Sequence, residues 1–319
     1  MRRPLLRLRR RLSRPAQASL EQLARADLAT RRALEEQHGV HVLPVHFYTG
    51  VPSIAEIEGS FEYREPAPFA DPHLFDHDRL SAVLEELCPY AEEFAPPAGG
   101  DPERCGEFFW DNGQFSFSDA MAYYCMVRRY RPATVVEVGS GFSTLVARAA
   151  LERNGGGRLV CVEPSPRPFL TALPDVEIVC APAQSLDLRF YEDRLGDGDM
   201  LVIDSTHTVK TGSDCVHLYL RVIPRLDRDL LVHAHDVFLP HPMPRDWLLE
   251  KQLFWGEQYL LLALLTDNPR ATVLYGSAYH NNAASKPLLD RLMGDKWPSG
   301  GGSLWFRYQG RREAGAGNP

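Results

Sequence analysis

The stretch that decides the fold is Val135-Val136-Glu137-Val138-Gly139-Ser140-Gly141-Phe142-Ser143-Thr144. The apolar run 134–138 reads as a buried strand. Two glycines one residue apart follow it, and a helical pattern over 142–153 comes next. A strand that enters a Gly turn and leaves as a helix is suited to holding a ligand. Gly lets the backbone approach closely, and the helix N-terminus offers free N–H groups. A dinucleotide site wants G-x-G-x-x-G/A, but Thr144 takes the third small position here. Glu137 argues further against a pyrophosphate, which a carboxylate just before the turn would repel. It suits a ligand with a cationic or hydroxyl-bearing part.

Outward from this loop, strand and helix signals alternate. Strands are expected at 158–163, 176–180, 200–204 and 229–236, with two late ones, "ATVLYG" and "SLWFRY". Helices are expected over 213–223 and, as one long element, over about 246–266. Short apolar strands alternating with helices predict a mostly parallel sheet covered on both faces. Before the loop, Ser116-Phe117-Ser118-Asp119 reads as a capping box opening a helix to about Arg131, which Pro132 ends. Earlier still, 16–38 reads as a helix stopped by Gly39, and "DHDRLSAVLEEL" as another capped by Asp76 or Asp78. The Pro/Gly-rich stretch 95–106 is taken as the organisational boundary. That gives a basic tail at 1–15, a helical, Pro-rich cap region at 16–107, a core at 108–310 and a short tail at 311–319.

The loop residues resemble the class I S-adenosylmethionine-dependent methyltransferases. Glu137, Gly139 and Gly141 match the family's E-x-G-x-G, and Glu163 matches the acid that ends the next strand and grips the ribose. The resemblance covers about residues 108–308. "NGQFSFSDA" and "HFYTGVP" look like a bacterial small-molecule subgroup related to metal-dependent sugar O-methyltransferases and cephalosporin-type hydroxylases. It implies a Rossmann-like α/β sheet of seven strands, mostly parallel with the last antiparallel, plus the N-terminal addition. It also implies S-adenosylmethionine held by Glu137, Gly139, Ser140, Gly141, Ser143, Glu163 and Asp204. Fold alone does not establish methyl transfer, so the chemistry rests on a second set of residues.

In an open parallel sheet, ligands bind beyond the carboxyl ends of the strands. Two polar groups fall there: "IDSTH", with Asp204 and His207, and "HAHD", with His233, His235 and Asp236. The related enzymes hold a divalent cation with acids at these two strand ends. Asp204 and Asp236 match those acids, and His235 stands where another acid is usual. The resemblance therefore implies an Asp204/His235/Asp236 site for Mg, Mn or Fe, softer than an all-carboxylate set. The other reading is a metal-free site with histidine as general base. His207, His235 and Asp236 are the catalytic candidates, since O-methylation needs a hydroxyl proton removed near neutral pH. His233, deeper in its strand, reads as a structural hydrogen-bonder. The loop "VFLPHPMPRDW" is expected to shape the acceptor pocket, with Trp110, Asn112 and Tyr48 as further contributors. "LFWGEQYLLLALL" reads as core or as a homodimer face.

Composition sets the outer bounds. The chain has 319 residues and net charge -7, although seven Arg and no acid lie in "MRRPLLRLRRRLSR". The remainder is therefore more acidic than the total, and nothing in the charge argues for nucleic acid. The Arg-rich start reads as a solvated tail, with contact to an anionic lipid surface or a partner, and then a mitochondrial presequence, as the alternatives; no apolar run is long enough to span a bilayer. The six cysteines lack metal-finger spacing and read as buried, reduced thiols of a cytoplasmic protein. The expected reaction is methyl transfer to a hydroxyl, or second to a nitrogen, of a small-molecule acceptor such as a secondary metabolite or sugar. The rivals are a metal-dependent hydroxylase on the same fold and a non-catalytic cofactor-binding partner protein.

Overall fold

The computed structural model describes residues 14–115 and 117–311. The expected tails at 1–15 and 311–319 lie almost wholly outside the described residues, and Ser116 of the expected capping box lies outside them too. Contacts divide the chain between Glu58 and Gly59, not at the Pro/Gly-rich stretch 95–106. In the first unit the helix expected over 16–38 is two helices, Arg14–Ala24 and Leu28–His38. The reason is local. Asp27 is extended and its carboxylate accepts from Thr30 N at 2.8 Å, which starts a new helix. Gly39 closes that helix in the left-handed region, as expected.

The second unit is built on a seven-stranded sheet in the order β3-β2-β1-β4-β5-β7-β6. The strands are β1 (Thr134–Val138), β2 (Arg158–Val162), β3 (Val176–Val179), β4 (Met200–Ile203), β5 (Leu230–Ala234), β6 (Ala271–Gly276) and β7 (Leu304–Tyr308). β1 to β5 pair in parallel, and β7 runs antiparallel to both β5 and β6. The expected Rossmann-like architecture is therefore the observed one.

Side chains alternate between two buried clusters, one on each face of the sheet. Val135, Cys161, Val202 and Leu231 face the first cluster. Val136, Val138, Val160, Leu201 and Val232 face the second. The first contains side chains of the helices His77–Ala91, Phe117–Tyr130 and Phe142–Asn154. Residues 59–107 thus contribute to the same core as the sheet. Asp76 caps His77–Ala91 by accepting from Arg79 N at 2.7 Å.

Two helices depart from expectation where they approach the strand ends. The long element at 246–266 is broken into Arg245–Leu249 and Glu257–Leu265. The break comes where the amides of Gly256 and Glu257 turn to donate to His207 O at 3.0 and 3.2 Å. The segment at 213–223 starts as an α-helix at Asp214–His217, widens to a π-helix over Leu218–Val222 and tightens at Ile223–Arg225, where Pro224 removes a donor. All six cysteines are free. Five are buried as expected, but Cys180, just past β3, is exposed. Among the described residues no helix is long and apolar enough to cross a membrane.

Candidate active site

The Gly loop lies between β1 and the helix Phe142–Asn154, where the sheet order reverses between β1 and β4. Gly139 has φ 81, and a Cβ there would meet Asp204 O at 1.8 Å. Only glycine fits this turn. Gly141, by contrast, would point a Cβ into open space. Glu163 stands just beyond β2 and faces the loop. Its carboxylate accepts from Ser140 N at 3.3 Å and from Ser165 N at 2.9 Å. An acid at a neighbouring strand end, beside an open glycine backbone, fits a ligand that offers hydroxyls.

Glu137 corrects the sequence reading. Counting along β1 puts it on the same face as Val135, the face that the helices Phe117–Tyr130 and Phe142–Asn154 cover. It is fully buried. Tyr123 Oη donates to it at 2.9 Å, Thr144 Oγ1 at 2.6 Å and the Cys161 thiol at 3.6 Å. Burial raises its pKa to about 7 against these hydrogen bonds. Ser143 is likewise buried, with its hydroxyl turned towards Glu137. These two residues hold the loop from beneath; Gly139, Ser140, Gly141 and Glu163 form its open side.

At the ends of β4 and β5 the structure brings together Asp204, His207, His235 and Asp236. His207 Nε2 lies 3.5 Å from Asp204 Oδ1 and 3.6 Å from Asp236 Oδ2. His235 Nδ1 lies 3.2 Å from Asp204 Oδ1 and 3.8 Å from Asp236 Oδ1. Each imidazole thus presents one nitrogen to the same carboxylate pair. Each also has a buried carboxylate behind it. Glu257 Oε2 is 2.6 Å from His207 Nδ1, and Asp119 Oδ2 is 3.4 Å from His235 Nε2. His207 and Asp236 both hold positive φ, at 57 and 54, an uncommon state for such residues that clusters at functional sites.

The charges follow from this packing. Burial opposes ionisation of Asp204, yet the two histidines hold its pKa well below the ordinary range. Burial raises Asp236. Burial alone would lower both histidines, but Asp204 and Glu257 lift His207 to about 10, and Asp204 and Asp236 lift His235 well above its usual value. Asp204, His207 and Asp236 each offer a ligand atom within 4.8 Å of the others, a spacing that could hold a metal ion. The expected set named His235 in place of His207, whereas both rings face the pair. Asp204, expected also to touch the cofactor, turns its carboxylate to the two histidines, and its backbone carbonyl stands close beside Gly139.

A cavity of about 370 Å³ adjoins the cluster, lined by Asp111, Gln114, Phe117, Asp119, His235, Asp236, Phe238, Trp247 and Gly300 to Gly302. Phe238 and Trp247 come from the Pro-rich loop after Asp236. Trp110 does not line it. It is 1 % exposed and packs against Phe94, Phe108 and Trp297. Asn112 braces its own turn through Phe109 O, Phe115 O and the amides of Gln114 and Phe115. Tyr48 is exposed in the first unit. His233 is structural: fully buried, 2.8 Å from Ser303 Oγ, stacked on Trp305 and lowered by burial to about 3.

A family model described as a methyltransferase domain matches residues 136–237, the span from the Gly loop to the end of the HAHD group. This span is a methyltransferase domain. An uncharacterized protein of Archaeoglobus fulgidus is 30% identical to this methyltransferase over 159 residues, 47% of this chain and 72% of the other. Among solved structures, the O-methyltransferase from Bacillus cereus in complex with SAH is 17% identical, covers 72% of this chain and 91% of its own, and has a TM-score of 0.36. The O-methyltransferase TomG from Streptomyces achromogenes, involved in tomaymycin synthesis and in complex with SAM, is 15% identical, covers 72% and 90%, and has a TM-score of 0.35.

Two site residues of this methyltransferase escape sequence reading. Asp119 reads from sequence as the last member of a capping box, but its carboxylate accepts from Ser277 Oγ, Gly302 N and Ser303 N and backs His235. Glu257 sits in a run that reads as core. Its only local signal is an acid directly after Trp255-Gly256, at the start of a helix.

Proposed function

We propose that this methyltransferase moves the methyl group of S-adenosylmethionine to a hydroxyl oxygen of a small-molecule acceptor seated in the cavity beside Asp236. The observation that carries the reading is His207 Nε2, which faces Asp204 and Asp236 across the strand ends next to the Gly loop. The cofactor supplies an electrophilic methyl on a sulfonium. This chain's residues must bind it, orient the acceptor and remove the hydroxyl proton. Gly139, Ser140 and Gly141 offer backbone, and Glu163 offers a carboxylate to the ribose hydroxyls. Phe238 and Trp247 supply an apolar wall for the acceptor.

His207 is the base in this reading. Facing only carboxylates, it holds a proton to about pH 10, and a base must be free of that proton. A divalent cation held by Asp204 and Asp236, with His207 Nε2 left unligated, would neutralise the carboxylates, let the ring lose its proton and lower the acceptor hydroxyl's pKa. His235 then stays between Asp119 and Asp204 as a fixed counter-charge. The test is incubation with S-adenosylmethionine and hydroxylated acceptors, with and without Mg or Mn. Formation of demethylated cofactor together with a product heavier by CH2 is expected.

One observation favours a second reading. Two imidazoles and two carboxylates converge at one place, a donor set that also suits iron in oxygenases. A product heavier by O, formed with iron, oxygen and a two-electron reductant and without turnover of S-adenosylmethionine, would establish the hydroxylase instead.

A further inference from the structure

Glu257 is 2 % exposed, yet it is an acid. A carboxylate so buried is retained only where partners compensate its lost hydration. Its partners are specific. Oε1 accepts from Tyr219 Oη at 2.6 Å, and Tyr219 is itself fully buried. Oε2 lies 2.6 Å from His207 Nδ1. The same turn grips the histidine a second way, because Gly256 N and Glu257 N both donate to His207 O. Trp255 lies against the ring, with centroids 4.3 Å apart. The ring of His207 is thus fixed at its backbone, at its face and at Nδ1, and only Nε2 is left to address Asp204 and Asp236.

We propose that Glu257 is the positioning residue of the site: by accepting from His207 Nδ1–H it fixes the ring so that Nε2 meets the acceptor hydroxyl and the Asp204/Asp236 pair. The proposal rests on His207 being the group that takes the acceptor's proton. The physical logic is that of a histidine whose second nitrogen is bonded to a carboxylate. The partner sets which nitrogen carries the proton and stops ring rotation. An unsupported imidazole would spread over two ring flips and two tautomers. This role explains why the helix expected over 246–266 breaks: an unbroken helix would not turn its amides and Glu257 together onto residue 207.

The test uses the full chain with 15N-labelled histidine. In the wild type, the proton shared by His207 Nδ1 and Glu257 should appear far downfield, coupled to a ring nitrogen, and should vanish in His207→Asn. In Glu257→Gln it should move upfield, and kcat should fall by about 10–100-fold, with the affinity for S-adenosylmethionine unchanged. If Glu257→Gln keeps turnover within twofold while His207→Asn abolishes it, the positioning role is overturned and the base assignment stands. If His207→Asn itself turns over normally, the base assignment falls and takes this proposal with it. Should Glu257→Gln fail to fold, Glu257→Asp gives the same readout, because it keeps the charge and draws the carboxylate back from His207 Nδ1. The downfield proton must then move and turnover must drop; turnover within twofold of wild type overturns the proposal.

Discussion

A methyl group on Gly139 would lie 1.8 Å from the backbone carbonyl oxygen of Asp204. The Gly loop and the strand end that carries Asp204 are therefore in direct backbone contact. Asp204 N also donates to Val138 O at 2.9 Å. Gly139→Ala is expected to push these apart. Forcing an alanine to φ 81 costs about 1–3 kcal/mol, and the clash adds to it. Thermal melts should show a clear loss of stability. Gly141→Ala has open space for its methyl, so it should melt like wild type while losing affinity for S-adenosylmethionine in calorimetry. Equal melting of the two variants would show that the loop is not held as described.

Glu163 is the next test of the cofactor side. Among the described residues its oxygens accept from the backbone amides of Ser140 and Ser165, so the fold places little on it. Glu163→Ala should weaken binding of S-adenosylmethionine by about 1–3 kcal/mol, the worth of hydrogen bonds to a charged group. The melting temperature should barely move. Undiminished affinity would remove Glu163 from the site.

These residues also show how far the sequence could be read. Each strand was expected to within a residue or two, because apolar runs between Gly and Pro signals leave few choices. The strand-end positions of Asp204 and Asp236 followed from that. The place of Glu137 at the end of β1 is legible, but its burial is not, because spacing along the chain does not say which helix covers which face. In the fold, that face meets Tyr123. Asp119 and Glu257 were misassigned for a related reason. Their partners, His235 and His207, are remote in sequence, and only the sheet order brings them together.

Glu137 gives a prediction about pH. Its folded pKa is raised from 4.5 to about 7 by burial. Below pH 4.5 both folded and unfolded chains hold the proton. Between those values the folded chain keeps it and the unfolded chain loses it. The stabilising contribution is therefore full at low pH and is lost as pH rises through about 7. A shift of that size corresponds to about 3 kcal/mol. Urea unfolding at pH 5 and pH 8 should show wild type losing stability relative to Glu137→Gln by an amount of this order. Parallel behaviour of the two proteins would mean that Glu137 is ionised in the fold.

The strand-end cluster carries the final prediction. Asp204 and Asp236 each lie within 4 Å of His207 and His235. Two carboxylates this near repel unless protons or a cation lie between them. In the structure the histidines fill that role, which would leave His207 protonated and unable to act as a base. A cation between the carboxylates would relieve both constraints. Asp204→Asn and Asp236→Asn keep the shape and remove one charge each. Each should lower turnover by about 10²–10⁴-fold, the range attached to a misplaced acid–base group. Each should also weaken Mn binding followed by electron paramagnetic resonance. S-adenosylmethionine affinity should stay near wild type, since Gly141 and Glu163 are untouched. Chelation should silence the wild type, and Mg or Mn should restore it. If the wild type is fully active after chelation, the cation has no place in the reaction. The base must then be freed of its proton by the charge of the bound sulfonium, and Asp204→Asn would slow turnover without any change in metal response.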